Sequence, residues 1–269
     1  MKRSPAVAHQ FYPGTPSTLS GMLSDLIPSI PDASKQDALA VVSPHAGYVY
    51  SGAIAGETFA RVNVPENVII MGPNHHGRGA PVALMEEGEW EMPMGSVQIE
   101  SELAHLVANN SEIVEPDDTA HRYEHSLEVQ VPFLQYFQKN LKIVPLVIAR
   151  IPCASCLELG RGIANAVKTF GKPVLIVASS DMTHYESRKD ATAKDRMAID
   201  RIKALDPEGL YSTVHDNRIS MCGVMPTTIA LAAAIELGAG NSELIRYTDS
   251  GETSGDVNQV VGYAGFVIS

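Results

Sequence analysis

The feature that most restricts the fold is a set of apolar runs of strand length with almost no polar alternation. They fall at residues 38–43, 67–71, 141–149 and 173–178, separated by longer stretches, most of them of helical period. A strand exposed on one face alternates apolar and polar side chains, whereas a strand covered on both faces reads as a continuous apolar run. Such runs alternating with helices are the pattern of βαβ units around a mostly parallel sheet. The spacing predicts helices over 51–62, with Ser51 as cap, and over 100–110, 155–170, 189–205, 207–214 and 222–237. Another over 124–138 puts Leu127, Val131 and Leu134 on one stripe, with Pro132 expected to kink or restart it. Short β segments are expected within 81–99, and closing strands over 244–247 and 260–268 flank a Gly-, Ser- and Asp-rich loop at 249–258. No repeat or linker interrupts the 269 residues, so 1–269 reads as a single α/β domain, a mostly parallel central sheet with helices on both faces.

In open parallel sheets, ligands bind beyond the carboxyl ends of the strands, where the loops share one rim. His45, the pair His75 and His76, and Asp181 with His184 each follow a predicted strand end within six residues. A capping or surface role is the ordinary reading of any one histidine. With nine histidines in the chain, their presence at three of about four strand ends favours a shared site, and imidazole is the commonest protein ligand of transition metals. Cys222, at the predicted start of the 222–237 helix, adds a soft donor, since a helix N-terminus stabilises a thiolate. Cys153 and Cys156 have Cys-x-x-Cys spacing, but no second pair accompanies them, and core thiols are the favoured reading.

Glu124, His125, Ser126 and Glu128 form a polar group in which His125 could donate a proton. The bland alternative is a helix start with acidic residues favoured by the dipole. Asp181 precedes His184 by three residues, a spacing at which a carboxylate can orient an imidazole and raise its basicity. Ser179 and Ser180 invite a hydrolase reading, but the chain has no Gly-x-Ser-x-Gly turn and adjacent residues rarely supply a triad.

Composition removes several classes of partner. Lys and Arg total 20 against 31 Asp and Glu, a net charge of -11, so nucleic acid and anionic membranes are not expected partners. No run approaches the roughly 20 apolar residues that span a bilayer. Pro5, His9, Gln10 and Pro13 interrupt any signal-peptide core after the basic start. Three cysteines, an odd number, argue against a disulfide framework and for a reducing cytoplasm.

The motifs together resemble the Memo family. Pro44-His45-Ala46-Gly47-Tyr48 with Ser51-Gly52, Gly72-Pro73-Asn74-His75-His76, Glu124-His125-Ser126-Leu127-Glu128, Ser179-Ser180-Asp181 with His184, and Cys222-Gly223 occur in that family's order. The resemblance runs from Phe11-Tyr12-Pro13 to Val260-Val261-Gly262-Tyr263-Ala264. Microbial members are known as the B protein of the AmmeMemoRadiSam system, which implies radical-SAM proteins as partners; the animal member is named for growth-factor-driven cell motility. The family's fold is similar to that of class III extradiol ring-cleaving dioxygenases, non-haem Fe(II) enzymes with two His and one Glu on the metal.

Carried onto this sequence, the resemblance implies His45, His75 and Cys222 as metal ligands, His184 as base with Asp181 beside it, and His125 as a second proton-handling group. His9, where many members have a glycine segment, is read as a surface substitution. A thiolate in place of a carboxylate suits Cu or Zn as well as Fe(II), so catechol cleavage does not follow. Two functions stay open: an iron- or copper-dependent oxidoreductase, and a non-catalytic module that docks a small molecule, a peptide or a protein in the cleft. Grouping His125, Asp181 and His184 at one rim favours chemistry.

Overall fold

The computed structural model describes residues 1–269. Along the chain run β1 (Lys2–Arg3), α1 (Pro16–Leu26), β2 (Ala40–Ser43), α2 (Tyr48–Ala60), β3 (Asn67–Pro73), β4 (Val82–Leu84), β5 (Glu89–Trp90), β6 (Val97–Ile99) and α3 (Ser101–Asn109). Then follow β7 (Glu115–Pro116), α4 (Val131–Phe137), β8 (Lys142–Ile148), α5 (Cys153–Phe170), β9 (Val174–Ser179), β10 (His184–Glu186), α6 (Arg188–Lys203) and α7 (Pro207–Asp216). The chain closes with α8 (Val224–Glu236), β11 (Ser242–Asp249), the helical turn α9 (Gly251–Ser254) and β12 (Val260–Ile268).

The centre of the sheet is the run β8-β3-β9-β2, all parallel. These are the four apolar runs of the sequence, and β2, β3 and β9 are buried at every residue. The outer strands make the sheet mixed. β12 joins β2 antiparallel and carries β11 and β10, while β4 and β6 share the far edge of β8, β4 antiparallel at Leu146–Ile148 and β6 parallel at Lys142–Ile143. One face is covered by α5 and α8, with α3 and α7 beside them; α2 lies against β2 and β12 with α1 and α4 packed on it. Buried side chains such as Ile69, Ile70 and Met71 each contribute roughly 1.5–3 kcal/mol of transfer free energy.

Three helix starts differ from expectation. α2 begins at Tyr48, with Gly47 rather than Ser51 as its cap, and the Ser51 hydroxyl donates back to the Ala46 carbonyl from within the first turn. The helix expected from residue 124 begins only at Val131, after a 3-10 turn at Glu128–Gln130. Pro132 therefore kinks nothing: in the first turn its missing N–H has no partner to lose. Residues 124–127 are instead a loop held against the end of β3. The Ser126 hydroxyl donates to the Pro73 carbonyl, and a side chain at Gly72 would collide with Ser126 and Leu127. α8 begins at Val224, so Cys222 precedes the helix rather than opening it.

Candidate metal centre

The parallel strands deliver their polar residues to one rim, in the spatial order Arg150 after β8, His75 after β3, Asp181 after β9 and His45 after β2. His45, His75 and His125 meet there, with one ring nitrogen of each within 4.8 Å of the others. The His45 and His75 rings are 5.2 Å apart and nearly perpendicular; His75 and His125 stack at 4.6 Å. His45 is buried, His125 half-buried, and the His75 side chain 31% exposed, so the triangle is reached from the side of His75 and His125.

Hydrogen bonding decides which nitrogens are free. The Ser179 hydroxyl spends its single proton on the Ser126 carbonyl at 2.6 Å and accepts from the Gln130 amide at 2.8 Å. Its remaining lone pair faces His45 Nδ1 at 2.9 Å, so Nδ1 carries the His45 proton and Nε2 is left as a lone pair. Burial, with the neighbouring His75 charge, pushes the His45 pKa far down and keeps that ring neutral. Nδ1 of His75 donates to Glu124 at 2.9 Å, which again leaves Nε2 free. Burial and then the His45 charge push His125 down to about 4.

Glu124 anchors the group. It accepts from the His75 backbone N–H at 2.7 Å, from His75 Nδ1, and from the Ser126 N–H at 2.9 Å. Burial would raise its pKa, but the His75 hydrogen bond and charge, the Ser126 N–H and the His125 charge together hold the carboxyl well below the ordinary range. A buried carboxylate that fixes an imidazole tautomer from behind is the usual support of a metal ligand. Burial holds His45 and His125 neutral, and three imidazoles with one nitrogen each within 4.8 Å are a donor set suited to a transition metal.

The remaining sequence candidates fall around this triangle. Asp181 does not orient His184; its Oδ1 accepts the His45 backbone N–H at 2.7 Å, and burial pushes its carboxyl up. His184 instead donates from Nδ1 to the Ser220 carbonyl at 3.0 Å, which leaves its Nε2 free to accept a proton. Cys222 Sγ lies 3.2 Å from His45 Nε2 and accepts the Asp181 N–H at 3.2 Å. With the lone pair on Nε2, the thiol donates to His45. The expected thiolate is not the resting form, because burial and the Asp181 charge push the thiol up and outweigh the Gly223 N–H at the start of α8. Gly223 lets this loop sit on Ser179 and Ser180, where a side chain would clash.

Other candidates stand apart. His9 is exposed, in a turn with its ring over Gly14. Cys153 and Cys156 are free thiols in the first turn of α5, and burial pushes Cys156 up to about 12. Sequence reasoning did not single out Arg3, Tyr12, Ser179 as a ligand anchor, or Glu124 as an orienting carboxylate. The Phe11 ring packs tilted against His125 at 4.8 Å, and its segment is tied down by Glu128, which accepts the Ala6 and Val7 N–H groups and the Tyr12 hydroxyl and pairs with Arg3 at 2.8 Å. The acids at 124 and 128 are thus buried ligands of backbone and cations, not a dipole-favoured helix start.

No helix is long and apolar enough to cross a membrane. The fold is similar to that of an uncharacterized protein of Escherichia coli K12, with a TM-score of 0.58 at 15% identity over 86% of this chain and 99% of that one. A MEMO1 family protein of Methanopyrus kandleri is 42% identical over 279 residues, covering 99% of both chains. One from Pyrobaculum aerophilum is 43% identical over 272 residues, covering 97% of both. The family model described as Memo-like protein matches residues 3–267. With the histidine motifs converging at one rim and this agreement along nearly the whole sequence, the chain belongs to the Memo family.

Proposed function

We propose that this protein is a metal-dependent oxidoreductase with a non-haem Fe(II) centre at the rim of the sheet. The observation that carries this reading is the convergence of three imidazoles, with the outer nitrogens of His45 and His75 held by Ser179 and Glu124. His45 and His75 supply two donors through Nε2. The third comes from Cys222, as the family motifs suggest, or from His125, which closes the imidazole triangle. A thiolate donor shifts the preference toward Cu or Zn, and three nitrogens keep Fe(II) in reach.

When bound, the metal supplies electron transfer and Lewis acidity. The chain does the rest. Glu124 fixes the His75 tautomer, Ser179 that of His45, and Asp181 holds the His45 backbone. His184, its Nδ1 committed to Ser220, accepts a substrate proton at Nε2. Phe11 packs against the His125 ring.

Metal analysis of protein purified anaerobically without an affinity tag tests the reading. Stoichiometric metal that is lost in His45→Ala and His75→Ala supports it. Absence of metal, or content unchanged by His45→Ala, overturns it in favour of a docking module. Comparing His125→Ala with Cys222→Ser identifies the third donor, since only a thiolate gives a sulfur-to-metal charge-transfer band with copper.

A further inference from the structure

A cavity of about 520 Å³ lies between the ends of β3 and β8 on one side and α7 with the start of α8 on the other. That volume is in the range of small-molecule sites. Cys222 forms part of its wall, as do Pro73 and Asn74 just before His75, so its inner end adjoins the imidazole triangle. Val214, Ile219, Met221 and Val224 give it an apolar, buried floor.

Its outer part is charged. Arg150, His215 and Arg218 line it and are exposed, and no acidic residue does so, although the chain as a whole carries a net charge of -11. Arg3, Arg188, Arg201 and Arg246 each pair with a carboxylate. Arg150 and Arg218 pair with none. Arg218 also has a φ of 50°, the left-handed region, just past the end of α7, where a glycine or asparagine fits more easily. Its guanidinium is presented at the cavity from that turn.

We propose that this cavity takes an amphipathic organic carboxylate, with the apolar body on the Val214, Ile219, Met221 and Val224 floor and the carboxylate held by Arg150 and Arg218. That such a molecule is the substrate rests on the metal-centre reading above; its binding does not. Two guanidiniums, free of acidic partners and set at the edge of an apolar recess, match a carboxylate in charge and fork geometry. The inner end of the ligand lies at Cys222, beside His45. Reaction is thus directed at the end of the molecule remote from its carboxylate.

The full-length protein, both as purified and after chelation, is titrated with the anionic fluorophore 1-anilinonaphthalene-8-sulfonate, which is then displaced with 4-phenylbutyrate or its uncharged amide. The acid should displace the dye at least about 10-fold more effectively than the amide. The Arg150→Gln/Arg218→Gln protein should lose about 10- to 100-fold in affinity for the acid. Arg161→Gln, on the exposed side of α5, serves as the control and should lose nothing. Met225→Trp, which fills the cavity from its half-buried wall, should abolish displaceable binding by both compounds.

Equal potency of acid and amide, or unchanged acid affinity in the double variant, overturns the proposal. Metal content measured on the same samples separates the two readings. Acid-selective binding in protein that holds no metal as purified supports the pocket and removes the metal centre, whereas stoichiometric metal as purified without acid selectivity removes the pocket alone.

Discussion

Two buried polar clusters lie side by side under the rim, and they differ in whether their valences are closed. In the first, the Arg3 guanidinium is 4.1 Å from the Trp90 ring, donates to the carbonyls of His121 and Glu124, and pairs with Glu128. Glu128 in turn takes two backbone N–H groups and the Tyr12 hydroxyl. The donors and acceptors answer one another, and the result is a clamp on the N-terminal segment. In the second, His45 is held from behind by Ser179 and His75 by Glu124, the His125 ring has no hydrogen-bond partner, and one nitrogen of each ring lies within 4.8 Å of the others. A closed cluster holds structure; an open one of this kind is built for a ligand.

The contrast predicts opposite responses to substitution. Glu128→Ala leaves Arg3 buried without its carboxylate and should cost about 3–5 kcal/mol, read by denaturant unfolding. A smaller loss would mean that Arg3 reaches water and the cluster is not closed.

Acid should act next beside the first cluster, on the His121 ring, whose Nδ1 is buried without a partner. Burial, then the Arg3 charge, push His121 down to about 3 from the ordinary 6.5. Above 6.5 the ring is neutral in both states and contributes nothing to the pH dependence. As pH falls from 6.5 toward 3, the unfolded chain takes up a proton that the folded chain refuses, so stability falls by about 1.4 kcal/mol per unit. The difference in unfolding free energy between the natural protein and His121→Gln, followed over that window, checks the sign and slope.

The open cluster should cost less stability and be more sensitive in binding. His75→Ala takes Nδ1 away from the buried Glu124 carboxylate, which keeps its two backbone N–H partners, and should cost about 1–3 kcal/mol while abolishing metal retention. Glu124→Gln keeps the shape but weakens the support of His75, and a loss of about 10- to 100-fold in metal affinity is expected. Competition with a chelator of known affinity measures it. The smallest effect sharpens the comparison most: Cys153→Ser, at a partly buried thiol that belongs to neither cluster, should leave metal content and unfolding unchanged to within about 0.5 kcal/mol.

Much of this arrangement was legible in the residues. The unalternating runs at β2, β3, β8 and β9 announced buried parallel strands, and a parallel sheet gathers its strand ends at one rim. His45, His75 and Asp181 therefore had to come near one another. His125 was flagged only as a proton donor, because residue 124 was expected to open a helix. Its loop conformation depends on the close approach of Gly72 and on Glu124 binding the His75 backbone, contacts between residues some fifty positions apart.

The Asp181–His184 pairing illustrates the opposite error. Spacing along the chain suggested a contact, but β10 carries His184 to the Ser220 carbonyl, and Asp181 turns to His45 instead. Likewise Cys222 sat near an expected helix end by sequence, while its thiol is governed by burial and by Asp181.

Hydrophobic periodicity is a local property, and by itself it determined the parallel core, the family motifs and the rim at which they meet. Only the tertiary structure decided which imidazole nitrogens are free, which carboxylates are anchors, and that an arginine-edged apolar cavity adjoins Cys222. Those depend on hydrogen-bond partners and burial contributed by distant segments, as when Ser179 gives its one proton to Ser126 and so leaves the lone pair of His45 facing inward.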